Sequence, residues 1–319
     1  MRDRALAFVH SFWSPTAGSM RRWALVAVVV NVGITVTGAA VRVTGSGLGC
    51  PTWPKCTPES LLPAAHGDIA MINTLIEFGN RLLTFVILAV ALACLVAAMR
   101  LAPRRAELVR LAWLQPVGVA VQGLWGGLVV HTMLNPVTVS VHFLLSILMI
   151  AAAWFLYVRS GETDAPARPL VHRDIRTLAK VLVGAALLLV LAGMVVTGAG
   201  PHSGDVLASR FDFDIEMVVR LHADIAYLVV GITFALLFAL HVSDAPRQTQ
   251  RAALLLFGIE LAQGVIGYVQ YFLAVPAVLV ILHVLGSTLL WLGALNVLTK
   301  VRTRAVVQSP TTPLDATTV

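Results

Sequence analysis

Charged residues are scarce in this chain of 319 residues: Asp, Glu, Lys and Arg make up 12% of it, whereas hydrophobic residues make up 58%. The mean hydropathy is +0.85. A soluble globular domain carries about 25% charged residues, so this composition excludes an ordinary soluble domain. We therefore predict a multi-pass integral membrane protein of the cell membrane.

Cysteine is also rare, with three residues at Cys50, Cys56 and Cys94. Two thiols without a nearby second pair are a poor tetrahedral set, which argues against a zinc site. Carboxylates are nearly absent from the fourth, sixth and eighth apolar segments, which argues against a proton relay there. We interpret Cys94, deep in the second segment, as a small buried hydrophobe.

Eight apolar segments are long enough to cross a bilayer, since a spanning helix needs about 20 such residues. The sequence thus predicts an all-α integral membrane fold with eight transmembrane helices. Their approximate bounds are residues 23–41, 73–99, 109–130, 137–158, 178–198, 217–241, 252–272 and 276–299.

Basic residues are distributed unevenly about these segments. Of the 23 Lys and Arg, 18 lie in the N-terminal segment, in the connections after helices 2, 4 and 6, or in the tail, whereas the opposite loops hold only Arg42, Lys55 and Arg210. By the positive-inside rule, both termini are predicted to be cytoplasmic. The net charge of +7 is therefore a topology signal, and we predict no nucleic-acid partner.

The chain repeats part of itself. The stretch from Gln122 to His142 resembles the stretch from Gln263 to His283, an offset of 141 residues (142 to 283), and GITVTGAAV at 33–41 resembles GMVVTGAGP at 193–201. We therefore predict two pseudo-repeated four-helix bundles, as in other duplicated membrane folds.

This organisation divides the chain into five parts. The predicted parts are a cytoplasmic segment at 1–22, an N-terminal half at 23–158, a cytoplasmic hinge at 159–177, a C-terminal half at 178–299 and a tail at 300–319. The N-terminal half includes an outer cysteine loop at 42–72. The tail is rich in Pro and Thr, and we predict that it is disordered.

Four polar side chains lie about two turns inside the apolar segments: Asn80, His142, His222 and His283. Such residues are costly in a membrane and by default indicate function. His222 and His283 both lie near 10 Å below the outer surface, at about 1.5 Å per residue. Two imidazoles at one depth could ligate one haem iron axially, although hydrogen bonding between helices is the alternative.

The outer loop carries Cys50 and Cys56 on the oxidising side of the membrane, where a disulfide can persist. The pair either staples the loop or exchanges during a redox cycle. Glu77 lies three residues before Asn80 and thus on the same helix face. It is either a helix-start residue near the headgroups or a buried acid facing a cavity.

The combination of these motifs resembles the heme A synthase family, membrane enzymes that convert heme O to heme A for cytochrome oxidase. The resemblance covers nearly the whole chain except the tail and the hinge. The motifs that carry it are TGSGLGCPTWPKC, IEFGNR, GGLVVHTMLNPVTVSVHFLLS, TGAGPHSGD, RLHAD and the final helix with His283.

The resemblance implies an activity and a set of site residues. The family oxidises the ring-position-8 methyl of heme O to a formyl group in successive oxidations. His222 and His283 would be the axial ligands of a heme b cofactor, and the N-terminal half would bind the substrate haem through His142, with Glu77 as a catalytic residue. Cys50 and Cys56 match a pair thought to be redox-linked in the family.

One position departs from the family pattern, because the better-known members have histidine where this chain has Asn80. The substrate iron is then five-coordinate or water-bound, or another residue such as His131 reaches it, or Asn80 only donates or accepts a hydrogen bond. We prefer the first alternative.

The resemblance also implies partners, namely heme O synthase and cytochrome oxidase assembly, besides heme O and membrane lipid. No residue identifies the electron acceptor, and a homo-oligomer remains an open alternative. Two other functions compete: a di-haem b electron carrier linked to quinone, and a haem transporter or chaperone.

Overall fold

The computed structural model describes residues 14–64 and 69–305, and within them eight long helices carry the fold. Each is long and apolar enough to span a membrane, so the prediction of eight such helices is confirmed. In chain order they are α1 Ala17–Val43, α2 Met71–Arg100, α3 Ala106–His131, α4 Pro136–Ser160, α5 Arg173–Ala199, α6 Ile215–Val242, α7 Arg247–Phe272 and α8 Ala277–Lys300.

Local sequence sets where these helices begin. Thr16 and Ser19 form a reciprocal capping box at the start of α1, which satisfies two amide groups that the helix leaves unpaired. At the start of α4, the side chain of Asn135 accepts a hydrogen bond from the Val137 amide at 3.0 Å. Pro136 follows at the first helical position, where its missing N–H costs nothing.

The helices pack as two groups of four. α1 to α4 contact one another in a closed cycle, and so do α5 to α8; α1 with α8, α4 with α5, and α4 with α8 join the groups. Trp291 spans this junction, donating from Nε1 to the Ile147 carbonyl at 3.1 Å. In each group the second and fourth helices lie diagonally, without direct backbone contact.

The loops at the end of the molecule that is predicted to face outward also join the two groups. Arg42, at the end of α1, donates from Nε to the His202 carbonyl at 2.5 Å and from a terminal nitrogen to the Thr197 carbonyl at 2.7 Å. The Gly47 amide donates to the Gly204 carbonyl at 2.8 Å. Residues 65–68 of the predicted cysteine loop lie outside the described residues.

At the other end, the hinge and the tail pair with each other. β1 (Arg168–Pro169) and β2 (Arg302–Thr303) form a two-residue antiparallel ladder. The first residues of the tail, for which we predict disorder, are therefore ordered in this ladder. Residues 306–319 and 1–13 lie outside the described residues.

A charged cluster sits beside this ladder. Arg159, which is 4% exposed, pairs with Glu107 at 2.5 Å, with Glu162 at 2.9 Å and with Asp164 at 3.3 Å. Arg105 pairs with the same oxygen of Asp164 at 2.8 Å, and this hydrogen bond lowers the pKa of Asp164. The cluster thus ties α3 and α4 to the hinge.

Replacing Arg159 with Ala is expected to lower the free energy of unfolding by about 2 kcal/mol, because a buried guanidinium with several charge-assisted bonds is lost. Asp174→Asn is the control, since the pair of Asp174 with His172 is exposed and should contribute less than about 1 kcal/mol. Thermal unfolding in detergent measures both variants. Equal unfolding midpoints would contradict this role for the cluster.

Candidate functional site

His222 and His283 face each other across the interior of the second helix group. They lie on the diagonal helices α6 and α8, with ring centroids 6.4 Å apart and ring planes at 73°. If one metal ion bound a nitrogen of each ring at roughly 2 Å, the centroids would be about 6 Å apart. The observed spacing therefore fits a single axially ligated iron between the two rings.

The surroundings of the two rings also fit a bound group. The Nδ1 atoms of His222 and His283 are buried without a hydrogen-bond partner, and such atoms are rare unless a ligand or water completes them. The carbonyl of Leu189 on α5 lies near the His222 ring. A backbone carbonyl is a usual outer partner of a ligating imidazole.

Glycines make room for these rings. A Cβ at Gly193 of α5 would lie 3.1 Å from Cε1 of His222, and one at Gly267 of α7 would lie 3.6 Å from Cε1 of His283. The close approach at Gly193 is tighter than most side chains tolerate, so the glycine permits the ring position.

His142 occupies a similar setting in the first helix group. It lies on α4, its Nδ1 is buried without a partner, and a Cβ at Gly126 would lie 3.5 Å from its Cε1. The amide of Gln122 donates to the His142 carbonyl at 3.3 Å and to the Ser146 hydroxyl at 2.7 Å. These bonds hold α3 against α4 one turn from the imidazole.

Asn80 stands on α2, diagonally across the first group from the helix that carries His142. Its Oδ1 accepts a hydrogen bond from the hydroxyl of Thr37 at 2.7 Å. Thr37 lies one turn after Gly33 on α1, and a Cβ at Gly33 would meet nothing within 4 Å. Asn80 is therefore positioned by a hydrogen bond to α1, and no described side chain packs against Gly33.

Glu77 is buried, with 6% of the residue exposed, and lies in the second turn of α2. One carboxylate oxygen accepts a hydrogen bond from the Cys50 amide at 2.7 Å, and the other pairs with Arg81 at 2.5 Å. Arg81 also donates to the carbonyls of Cys50 at 2.8 Å and Thr52 at 2.9 Å. The two charges together fasten the cysteine loop to α2.

Cys50 and Cys56 form a disulfide, and Trp53 between them packs against α3. A Cβ at Gly127 would lie 2.7 Å from the Trp53 ring, and Gly127 directly follows the glycine that contacts His142. The cysteine loop is thus seated on the first helix group, close to the histidine along α3.

Sequence reasoning missed the glycines and Arg81. Gly126 and Gly267 are 141 residues apart, which is the offset of the sequence repeat, so the repeat could have indicated both glycines. Nothing in the sequence indicates the contacts of Arg81. His131 is exposed at the end of α3. Within the described residues no group of three or more His, Cys, Asp and Glu could hold a metal ion.

Comparison with known proteins finds relatives of this chain that are named heme A synthase. A heme A synthase of Azorhizobium caulinodans is 30% identical over 88% of this chain and 93% of its own length. The heme A synthase of Geobacillus kaustophilus is 31% identical over 44% of this chain and 42% of its own length. That of Staphylococcus epidermidis is 24% identical over 66% of this chain and 72% of its own length.

A family model extends this likeness over most of the chain. The model described as cytochrome oxidase assembly protein, COX15-CtaA, matches residues 21–295. This range includes all eight helices almost completely, the cysteine loop and every candidate site residue. The chain belongs to the COX15-CtaA family of cytochrome oxidase assembly proteins.

Proposed function

We propose that this chain is a heme A synthase, an oxidoreductase that converts the ring-position-8 methyl of heme O to a formyl group in successive oxidations. The observation that carries the proposal is the facing pair His222 and His283 at haem spacing in a member of this family. The histidine of the first group, His142, supplies a second and separate place for haem iron.

The second helix group is proposed to hold a heme b cofactor. His222 and His283 would be its axial ligands, and the bound heme b would supply one-electron redox chemistry. The chain's own part is to present both rings at the required spacing and to keep water away from them. Gly193 allows this by admitting the His222 ring close to α5.

The first helix group is proposed to bind the substrate. Heme O would enter from the lipid with its farnesyl tail toward the acyl chains, and His142 would hold its iron. A site inside a group of membrane-spanning helices suits heme O, because this substrate dissolves in the membrane as a lipid does. The cysteine loop seated on α3 closes the group at the predicted outer end.

Glu77 is proposed as a catalytic residue that stabilises developing positive charge or accepts a proton. Both of its oxygens already accept hydrogen bonds, which favours the electrostatic role. The bond to the Cys50 amide also connects Glu77 to the disulfide, so the redox state of Cys50 and Cys56 would affect where the carboxylate lies.

We also propose the cell membrane as the location, with both termini cytoplasmic and the cysteine loop outside. The two helix groups would be a duplicated unit, with heme O synthase and cytochrome oxidase assembly as the neighbouring activities. The partial repeat and the distribution of basic residues support this orientation.

A fusion of alkaline phosphatase to the C-terminus tests the orientation. We expect an inactive enzyme, because alkaline phosphatase needs disulfides that form outside the cytoplasm. A fluorescent protein fused at the same point should fluoresce. Active phosphatase at the C-terminus would reverse the orientation.

Replacement of His142 with Ala tests the substrate site. In cells that make heme O, the purified variant should yield heme b but neither heme A nor its alcohol intermediate on acid extraction and chromatography. His283→Ala should instead lose heme b, because the one remaining imidazole binds haem iron more weakly than two imidazoles do. Heme b alone in the unmodified protein would favour the electron carrier or the haem transporter over the enzyme.

Two substitutions separate the roles of Glu77. Glu77→Ala is expected to abolish heme A formation while heme b stays bound, a loss of about 100-fold or more if the carboxylate stabilises transition-state charge. Glu77→Gln keeps an acceptor for the Cys50 amide but removes the charge, and it should be equally inactive. A normal heme A yield from Glu77→Gln would contradict a catalytic role and would leave Glu77 with the structural role of holding the cysteine loop.

A further inference from the structure

Corresponding positions in the two helix groups have different surroundings. In the second group the face of α5 that carries Gly193 and Thr197 meets the His222 ring, 3.1 Å from a Cβ at Gly193. In the first group the same motif is Gly33 and Thr37 on α1: Thr37 donates to Asn80, and Gly33 is exposed, so that a Cβ there would meet nothing within 4 Å. An imidazole therefore contacts this glycine in the second group, whereas no described atom lies within 4 Å of a Cβ at the corresponding glycine in the first.

The Asn80 side chain is held so that its amide nitrogen stays available. Its Oδ1 is occupied by the hydroxyl of Thr37 at 2.7 Å, and within the described residues Nδ2 makes no hydrogen bond. An amide N–H₂ group is a donor and cannot serve as an iron ligand in the way that a neutral imidazole does. Asn80 therefore offers a hydrogen bond to a small molecule but no strong bond to iron.

Among the described residues, no other histidine of the first group is placed to replace it. Of the histidines in the described residues of the first group, His131 is exposed at the end of α3, and His142 belongs to the opposite diagonal helix. The two charged side chains of α2 nearest to Asn80 in sequence, Glu77 and Arg81, are paired with each other and with the cysteine loop. They are not free to approach an iron.

We propose that the substrate site binds haem iron through His142 alone and keeps the opposite coordination position open beside Asn80, Thr37 and Gly33 for a small neutral ligand. This inference rests on the proposed function, because it concerns the substrate of that function. It gives the two haem positions different chemistry: the heme b position is closed by two imidazoles, whereas the substrate position accepts a further ligand of the size of carbon monoxide or water.

Carbon monoxide binding to the purified, detergent-solubilised protein tests the proposal. Heme O is added to saturation, the sample is reduced, and the CO difference spectrum is measured against total haem. We expect one CO for every two haems. In the oxidised sample, electron paramagnetic resonance should show one high-spin and one low-spin haem.

Variants of Asn80 assign the open position. Asn80→His should convert the high-spin haem to low spin and weaken CO binding by more than about tenfold, because an internal ligand must first dissociate. Asn80→Gln is the matched control and should keep CO binding and the high-spin signal. Asn80→Gly should gain low-spin signal on addition of imidazole, which provides a test if Asn80→His does not fold.

The outcomes distinguish this inference from the proposed function. Two low-spin haems without CO binding would overturn it, and recovery of CO binding in His131→Ala would then identify the other ligand. CO binding as expected with heme O recovered unchanged after turnover conditions would support the open position but contradict the synthase. A protein that binds only one haem at saturation would contradict both.

Discussion

The hydrocarbon core of a membrane offers no hydrogen-bond partner, so each polar group placed there must be satisfied by protein or by a ligand. Several buried polar side chains of this chain satisfy one another in pairs. Asn31 donates to Gln115 at 3.3 Å, Thr233 donates to Glu260 at 2.7 Å, and Glu77 pairs with Arg81. Unpaired buried atoms occur on Gln115 and Glu260 as well as on Nδ1 of the three site imidazoles, but of these groups imidazole is the usual ligand of haem iron. This difference is what makes the imidazoles ligands in our account.

The second organising element is the cysteine loop. Glu77 and Arg81 on α2 form hydrogen bonds with the backbone of the loop. Trp53 packs the loop against α3. The Cys50–Cys56 disulfide is therefore connected through hydrogen bonds to the helix that carries both Glu77 and Asn80. Under the proposed function, reduction of this disulfide would therefore affect the proposed substrate site through the bond between the Cys50 amide and Glu77.

Much of this arrangement can be predicted from sequence because the membrane limits the choices. Apolar length alone gave eight helices, with bounds within about six residues of those observed, and the differences arise where capping and charge extend helices beyond the bilayer, as at Thr16 and Arg173. The site histidines are conspicuous because they interrupt apolar runs. The pairing of Cys50 with Cys56 follows from their proximity.

Contacts between distant segments could not be predicted in the same way. No local pattern indicates that Arg81 binds carbonyls of the loop, that Arg42 joins the two outer loops, or that β1 pairs with the tail. Whether Glu77 is exposed or buried was open for the same reason, because its burial depends on a loop that precedes it by 27 residues. Such contacts depend on three-dimensional packing that single-sequence periodicity does not record.

The most direct test of the central claim is a time course of haem composition. Purified protein containing heme b is supplied with heme O and an electron acceptor, and haems are extracted and separated at intervals. The account predicts that heme O declines, its alcohol rises and then falls, heme A accumulates, and heme b stays constant. Unchanged heme O with both haems retained would contradict the assignment of the first helix group as a substrate site.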